Sequence, residues 1–151
     1  MTRNLRIEKA KNSDYSALVD LLKETNLPPD GIEAHLMNFL VIRNPEADIS
    51  SGFLVGSVGL EIYGNSALFR SLAVHPDFQR AGLGSQLVDQ ITKLAKKKGI
   101  TRLYLLTDTA EEYFKRKGFL IVTRDKIPSD MKQSVEFTTL CTSSPSLMKE
   151  I

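Results

Sequence analysis

One stretch of the sequence arranges glycines and a cation in a way that suits phosphate binding. Residues 68–87 read LFRSLAVHPDFQRAGLGSQL, a pattern that predicts a strand, then a loop over 79–84, then a helix. Glycines leave the backbone N–H groups of such a loop uncovered, and the helix start adds partial positive charge, so a pyrophosphate fits there. Arg80 adds a direct contact between a cation and a phosphate. An ordinary turn that uses glycine for its tight geometry is the alternative, and the residues by themselves favour neither interpretation.

Several other catalytic signatures are missing from the sequence. Residues 59–64 read GLEIYG but lack the lysine of a P-loop, and Leu87 stands where a dinucleotide-binding motif needs its third glycine. The sequence has no His-Glu-x-x-His pair and no Gly-x-Ser-x-Gly elbow. Its single cysteine and two histidines are too few for a structural zinc site, which needs four such ligands. We therefore predict no metal centre.

The surrounding elements, which must position that loop, alternate between strand and helix. Strands are predicted at 5–8, 39–43, 53–63, 67–74, 103–106, 119–122 and 135–141, and helices after residue 13, at 30–37, after residue 84 and at 109–117. This order is typical of an α/β fold with a mixed sheet. The strand, loop, helix and strand in the middle form a βαβ crossover, which should be right-handed.

Composition sets the remaining bounds. The chain has 151 residues, 42% of them hydrophobic and 25% charged, so we expect residues 1–151 to form a single domain. The net charge of +2 is too balanced to suggest nucleic acid as a partner. Apolar runs are far shorter than the ~20 residues of a membrane span, and no apolar segment follows the first charges as in a signal peptide. A cytoplasmic protein that binds no membrane is the expectation.

The loop resembles the acetyl-CoA signature of the GNAT superfamily of N-acetyltransferases, Gln/Arg-x-x-Gly-x-Gly/Ala. It matches at Gln79, Arg80, Gly82 and Gly84, and the order of elements is similar along nearly the whole chain. A narrower similarity joins residues 59–64, 68–74 and 104–107 to short amino-acid N-acetyltransferases, including the arsenic-resistance-associated branch and the acetyltransferase domain of N-acetylglutamate synthases. The resemblance implies a single-domain GNAT fold. Its mixed central sheet would carry helices on both faces and splay apart between the fourth and fifth strands.

The same resemblance implies how acetyl-CoA would lie. Backbone groups of Leu72 and Val74 would bond the pantetheine arm as if it were another strand, and the pyrophosphate would lie over Gly82, Gly84 and Ser85. The implied cofactor-binding residues are Leu72, Ala73, Val74, Gln79, Arg80, Ala81, Gly82, Leu83, Gly84, Ser85 and Phe114.

One position departs from the family pattern. Many members carry a tyrosine four residues before the Gly-Phe pair of the fourth helix, where it is thought to protonate the leaving thiolate. Here that position is Phe114, and Tyr113 lies one residue earlier. One residue turns a helical side chain by about 100°. We therefore expect Phe114 to pack beside the cofactor's sulfur without giving a proton, and Tyr113 to face the core or the surface.

Two charged residues stand in otherwise apolar strands beside the implied thioester. Acyl transfer to an amine needs a proton acceptor, because an ammonium has no lone pair. Glu61 is the only carboxylate between residues 53 and 63 and is the candidate, with a solvent-facing strand residue as the alternative. Arg70 could hold a substrate carboxylate through its fork, or it could pair with Glu61 for structure alone. Ser71 and Thr107 are expected to line the same pocket.

These features predict an acetyl-CoA-dependent N-acetyltransferase that moves an acetyl group directly to the primary amine of a small molecule, with an amino acid as a candidate. The alternatives are a protein N-terminal or lysine acetyltransferase, and a catalytically silent acetyl-CoA-binding sensor domain. A homodimer is left open.

Overall fold

The computed structural model describes residues 5–44, 54–79, 81–140 and 143–151. Its strands are β1 Ile7–Lys9, β2 Phe39–Arg43, β3 Leu54–Tyr63, β4 Ser66–Val74, β5 Arg102–Leu106, β6 Leu120–Val122 and β7 Ser146–Glu150. Its α-helices are α1 Tyr15–Glu24, α2 Leu83–Lys97 and α3 Glu111–Arg116, and a 3-10 helix covers Ile32–Asn38. Among the described residues, no helix is both long and apolar enough to cross a membrane.

The strands form a seven-stranded mixed sheet in the order β1-β2-β3-β4-β5-β7-β6. Strand β4 pairs with β5 in parallel, and the α2 helix connects them. Strand β7 is antiparallel to both β5 and β6. The mixed sheet with helices that the sequence predicts is thereby confirmed.

The chain divides into two compact units. The first comprises Met1–Leu60 and Ser71–Leu94. Its core forms where the apolar stripe of α1 packs with residues of β2, β3 and β4; this cluster contains Leu18, Leu21, Leu22, Ile32, Leu36, Phe39, Val41, Leu54 and Ala73. Close packing explains one glycine of β3: a Cβ atom at Gly59 would lie 2.3 Å from the ring of Phe39.

The second unit comprises Glu61–Arg70 and Ala95–Ile151. One of its core clusters groups Leu68, Tyr104, Ile127, Met131 and Phe137. An aromatic cluster in the same unit contains Phe69, Phe114 and Phe119, whose rings meet edge to face. Edge-to-face contact is a preferred geometry for aromatic rings.

The predicted strand at 135–141 is wrong. Residues Glu136–Leu140 form a π-helical turn, and the last strand is β7. Ser134 provides the local reason, because its carbonyl accepts hydrogen bonds from the N–H groups of Phe137 and Thr138, and its hydroxyl accepts one from the N–H of Glu136. Such local bonds offer the backbone an alternative to a strand. Strand β7 instead takes its place by pairing on both sides, with β5 and β6.

Candidate active site

Strand β4 changes its backbone conformation at Ser71. This residue has a φ of 63°, in the left-handed region that non-glycine residues rarely adopt. The parallel register with β5 runs from Ser66↔Arg102 to Leu68↔Tyr104, three residues before Ser71, whereas β4 continues to Val74. Backbone outliers of this kind are concentrated at functional sites.

A buried hydrogen bond supports this conformation. The hydroxyl of Ser57, on β3, donates to the backbone carbonyl of Ser71 over 2.8 Å. Both serines are buried. The left-handed φ turns the strand's peptide groups away from their regular directions, so a side-chain donor is needed for a carbonyl that lies out of contact with water.

Gly82 immediately precedes α2, which begins at Leu83, slightly earlier than the helix that the sequence predicts after residue 84. It has a φ of 76°, and a Cβ atom there would meet nothing within 4 Å, so the requirement for glycine is conformational. The N–H of Gln86 donates to the carbonyl of Gly82, and this hydrogen bond closes the first turn of the helix. The preceding N–H groups have no intrahelical acceptor and carry the positive end of the helix dipole. The buried side chain of Leu83 anchors this turn in the core.

The residues that lead into the loop have contacts of their own. The side-chain amide of Gln79 donates to the carbonyl of Val74 over 3.0 Å. Leu72 and Val74 are half-buried, whereas Ala73 is buried. Ala81 is exposed, and Arg80 lies outside the described residues. Gln79 therefore ties the start of the loop to the end of β4.

Glu61 and Arg70 form a buried ion pair. The Nη1 of Arg70 lies 2.8 Å from the Oε2 of Glu61, and both side chains are at most 2% exposed. The hydroxyl of Tyr63 donates to the other oxygen, Oε1, over 2.5 Å. This is the pairing that the sequence offers as the alternative for Arg70, and it rules out the solvent-facing alternative for Glu61. The catalytic role of Glu61 and the carboxylate-binding role of Arg70 stay predictions.

A second carboxylate faces the same guanidinium. The Oε2 of Glu136 lies 3.5 Å from the Nε of Arg70, and Glu136 is buried. We call Glu61, Arg70 and Glu136 the Arg70 cluster. Sequence reasoning missed Glu136, because it assigned the residue to a strand. The sequence feature that could have identified Glu136 is its position as a single acid between two apolar residues, Val135 and Phe137.

Burial changes the acidity of this cluster. It raises the pKa of Glu136 from 4.5 to about 7; Arg70 acts in the opposite direction, and the charge of Glu61 raises the pKa further. Burial, together with the hydrogen bond to Glu61, also raises the pKa of Tyr63. Since a proton acceptor works best when its pKa is close to the ambient pH, the pKa of Glu136 suits a role in proton transfer at neutral pH.

The other predicted residues belong to different local structures. The hydroxyl of Thr107 accepts a hydrogen bond from the N–H of Ala110, just before α3, over 3.0 Å. Phe114 is buried, with its ring centroid 5.4 Å from that of Phe69. Tyr113 contacts Phe114 edge to face at 5.2 Å, and its hydroxyl oxygen is buried. The substrate role of Thr107 and the cofactor role of Phe114 stay predictions.

The described residues hold no group of three or more His, Cys, Asp or Glu side chains that could bind a metal ion. Among the described residues, the start of α2 has the polarity that suits an anion, and the Arg70 cluster has carboxylates that can exchange a proton. The first belongs to the unit that contains Ser71, and the second to the unit that contains Glu61.

A family model described as an acetyltransferase (GNAT) domain matches residues 37–120. The amino-acid acetyltransferase of Shewanella oneidensis is 29% identical over 139 residues, which are 85% of this chain and 29% of that protein. The chain thus spans about three tenths of the length of this curated relative.

Solved structures share the fold. The N-acetylglutamate synthase from Neisseria gonorrhoeae, complexed with coenzyme A and N-acetyl-glutamate, has a TM-score of 0.79 at 23% identity, over 97% of this chain and 35% of that one. A Mycobacterium tuberculosis protein in complex with coenzyme A has a TM-score of 0.77 at 19% identity, over 97% of this chain and 99% of that one.

Proposed function

The chain belongs to the GNAT acetyltransferase domain family, and from this premise we propose that it transfers the acetyl group of acetyl-CoA directly to the primary amine of a small molecule. The observation that carries the proposal is the turn at Gly82, whose left-handed φ immediately precedes the first residue of α2. The first N–H groups of a helix have no intrahelical acceptor. A helix start of this kind favours a pyrophosphate. The family match covers residues 37–120 and so includes residues of both compact units. This supports our further proposal that residues 1–151 act as one acetyltransferase domain.

Acetyl-CoA would be held mainly by main-chain groups. The pyrophosphate would accept hydrogen bonds from the first turn of α2, around Gly82, Gly84 and Ser85, with Arg80 as a cation beside it. The pantetheine arm would follow the backbone of residues 72–74. Because the carbonyl of Val74 already accepts from Gln79, the arm would use the second lone pair of that oxygen or displace the amide.

Transfer would occur directly from acetyl-CoA to the amine within a ternary complex. The ammonium loses a proton to Glu61 through water, so that the nitrogen keeps its electron pair and attacks the thioester carbonyl. The C–S bond then breaks, and the thiolate leaves with the bonding electrons. The nitrogen, which becomes positively charged in the attack, loses a second proton to water, so that the product is a neutral amide. A thiolate is a good leaving group because thiols are already fairly acidic, so Phe114 need supply only apolar packing beside the sulfur.

An amino acid is the acceptor class that we propose. The curated relative is an amino-acid acetyltransferase, and the neighbouring Neisseria structure contains N-acetyl-glutamate. Arg70 is the chain's candidate for the acceptor's carboxylate. Since this guanidinium already pairs with Glu61 and faces Glu136, a substrate carboxylate would compete with the two acids for its donors.

A panel of acceptors tests the proposal. It should contain amino acids, their decarboxylated amines, and peptides with a free N-terminus or a lysine, each incubated with acetyl-CoA while thiol release is followed. We expect amine-dependent release, fastest with an amino acid. Release with peptides alone would make the chain a protein acetyltransferase. Tight acetyl-CoA binding without release on any acceptor would make it a sensor domain.

A further inference from the structure

The Arg70 cluster pairs two acids with one cation. Arg70 contributes Nη1 to Glu61 at 2.8 Å and Nε to Glu136 at 3.5 Å. With both acids ionised, these three groups carry a net charge of −1, and with one proton added they are neutral. A buried net charge is costly, so this arrangement favours the uptake of one proton.

The two acids are not equivalent. Glu61 receives the shorter contact from Arg70 and also the hydroxyl of Tyr63 on its second oxygen. Glu136 has the longer contact, through the single nitrogen Nε. Donors stabilise a carboxylate in its ionised form. The proton is therefore better placed on Glu136 than on Glu61.

The backbone at Glu136 is also unusual. Glu136 begins the π-helical turn Glu136–Leu140, and its N–H donates to the hydroxyl of Ser134. π-Helical turns are rare and are often found at functional sites. Here the turn places Glu136 beside Arg70 of β4, which also pairs with Glu61 of β3.

We propose that Glu61 and Glu136 act as one proton-accepting pair bridged by Arg70, and that Glu136 is the member that holds the proton taken from the amine. This rests on the proposed function. The N–H bond of the ammonium breaks, its electrons stay on nitrogen, and an O–H bond forms on Glu136, with water as the carrier. Glu61 is the first acceptor, as proposed above; it passes the proton on to Glu136, is ionised again and keeps Arg70 in position.

The acidity of Glu136 agrees with this role. Burial raises its pKa to about 7, so the acid loses its proton in the neutral range. Among the described residues, Arg70 from β4 and Tyr63 from β3 act on the pair, and Asp130 acts on Tyr63, whose pKa it raises. Because the two acids are coupled, the titration belongs to the pair.

A direct titration tests the proton-holding role without any substrate. The carboxyl carbons of glutamate are labelled with 13C, and their shifts are followed by NMR from about pH 4 to about pH 9 in the whole chain. We expect one carboxyl to titrate near neutrality and its signal to vanish in Glu136→Gln. It should persist in the control Glu24→Gln, which changes an exposed glutamate of α1. The assignment is overturned if the signal persists in Glu136→Gln, or if it vanishes in Glu24→Gln as well.

The pH profile of kcat/KM gives the catalytic readout. In wild type it should rise with pH as the pair loses its proton, and in Glu136→Gln it should shift towards the pKa of the amine itself, with a loss of at least roughly tenfold at neutral pH. Glu136→Asp should restore part of the neutral rate, which a merely structural role for the acid would not require. If wild type acetylates an amine and Glu136→Gln keeps the wild-type profile, this inference fails alone. If wild type acetylates no amine, the proposed function fails, whatever the spectra contain.

Discussion

The hydroxyl of Ser57 donates to the carbonyl of Ser71, the residue at which β4 takes a left-handed φ of 63°. We expect Ser57→Ala to cost about 1–3 kcal/mol of unfolding free energy, because a buried carbonyl loses its donor. It should also weaken acetyl-CoA binding, since the backbone of residues 72–74 follows directly.

A matched control separates these two effects. Ser146 makes a comparable bond, from its hydroxyl to the carbonyl of Val122 over 2.6 Å. Ser146→Ala should cost similar stability, measured by urea unfolding, and leave the acetyl-CoA Kd unchanged. Equal Kd values for Ser57→Ala and wild type would show that the bond serves folding only.

The start of α2 should be sensitive to negative charge. Gly82→Glu should weaken acetyl-CoA binding at least tenfold, about 1.4 kcal/mol, because a carboxylate there repels the pyrophosphate. Gly64→Glu is the control, since Gly64 has a φ of 62° and open space around it, so the backbone strain is similar. Calorimetry with acetyl-CoA compares the two variants. Wild-type affinity in Gly82→Glu would contradict the assignment of the loop.

Arg70→Lys tests whether Arg70 binds the carboxylate of the acceptor. Lysine keeps the charge but loses the fork, so kcat/KM should fall more for an amino acid than for the same compound without its carboxyl group. Arg102→Lys, which changes an exposed arginine beside Glu150, should affect neither. An equal loss on both substrates in Arg70→Lys would confine Arg70 to holding the two acids.

Tyr113 should be dispensable for chemistry. Its buried hydroxyl and its contact with Phe114 are features of packing, so Tyr113→Phe should leave kcat within about threefold of wild type, whereas loss of a general acid typically costs about 10²–10⁴-fold. Tyr15→Phe, which removes a hydroxyl that contacts Glu33, provides the reference for a simple loss of tyrosine. A hundredfold drop in Tyr113→Phe with the fold intact would identify Tyr113 as the acid for the thiolate.

Stability should depend on pH through Glu136. Its pKa rises from 4.5 to about 7 on folding, so between these values the folded chain holds more protons than the unfolded one. Stability then falls as the pH rises through that window. Glu136→Gln removes this dependence, so urea unfolding should give a wild-type-minus-variant difference that declines by up to about 3 kcal/mol from about pH 4.5 to about pH 7.5. A flat difference would contradict the raised pKa.

The strand, loop and helix around Gly82 could be predicted because their signals are local. The apolar pattern changes from strand to helical spacing at residues 82–84. Glycine is also the residue type that most readily adopts the left-handed φ found at Gly82. The family resemblance depended on the same residues. The ion pair of Glu61 and Arg70 could be named as one of two alternatives, because neighbouring strands bring such residues within reach.

Other features depend on contacts that sequence patterns do not contain. Ser71 gives no sign of its left-handed φ, since serine seldom adopts it, and Ser57 supplies the supporting bond from another strand. The π-helical turn that carries Glu136 replaces a predicted strand, because local bonds from Ser134 compete with strand pairing. The role of β7 as the partner of two strands is likewise a property of the whole sheet.

Transfer of a labelled acetyl group tests the central claim most directly. The wild-type protein is incubated with a mixture of amino acids and with acetyl-CoA that carries 13C in its acetyl group. The masses of the products are then measured by mass spectrometry. The proposed function predicts an amino acid heavier by one labelled acetyl group, in an amount equal to the coenzyme A released, with Gly64→Glu active and Gly82→Glu nearly inactive. Release of coenzyme A with the label only in free acetate, or no release with any amine, would contradict it.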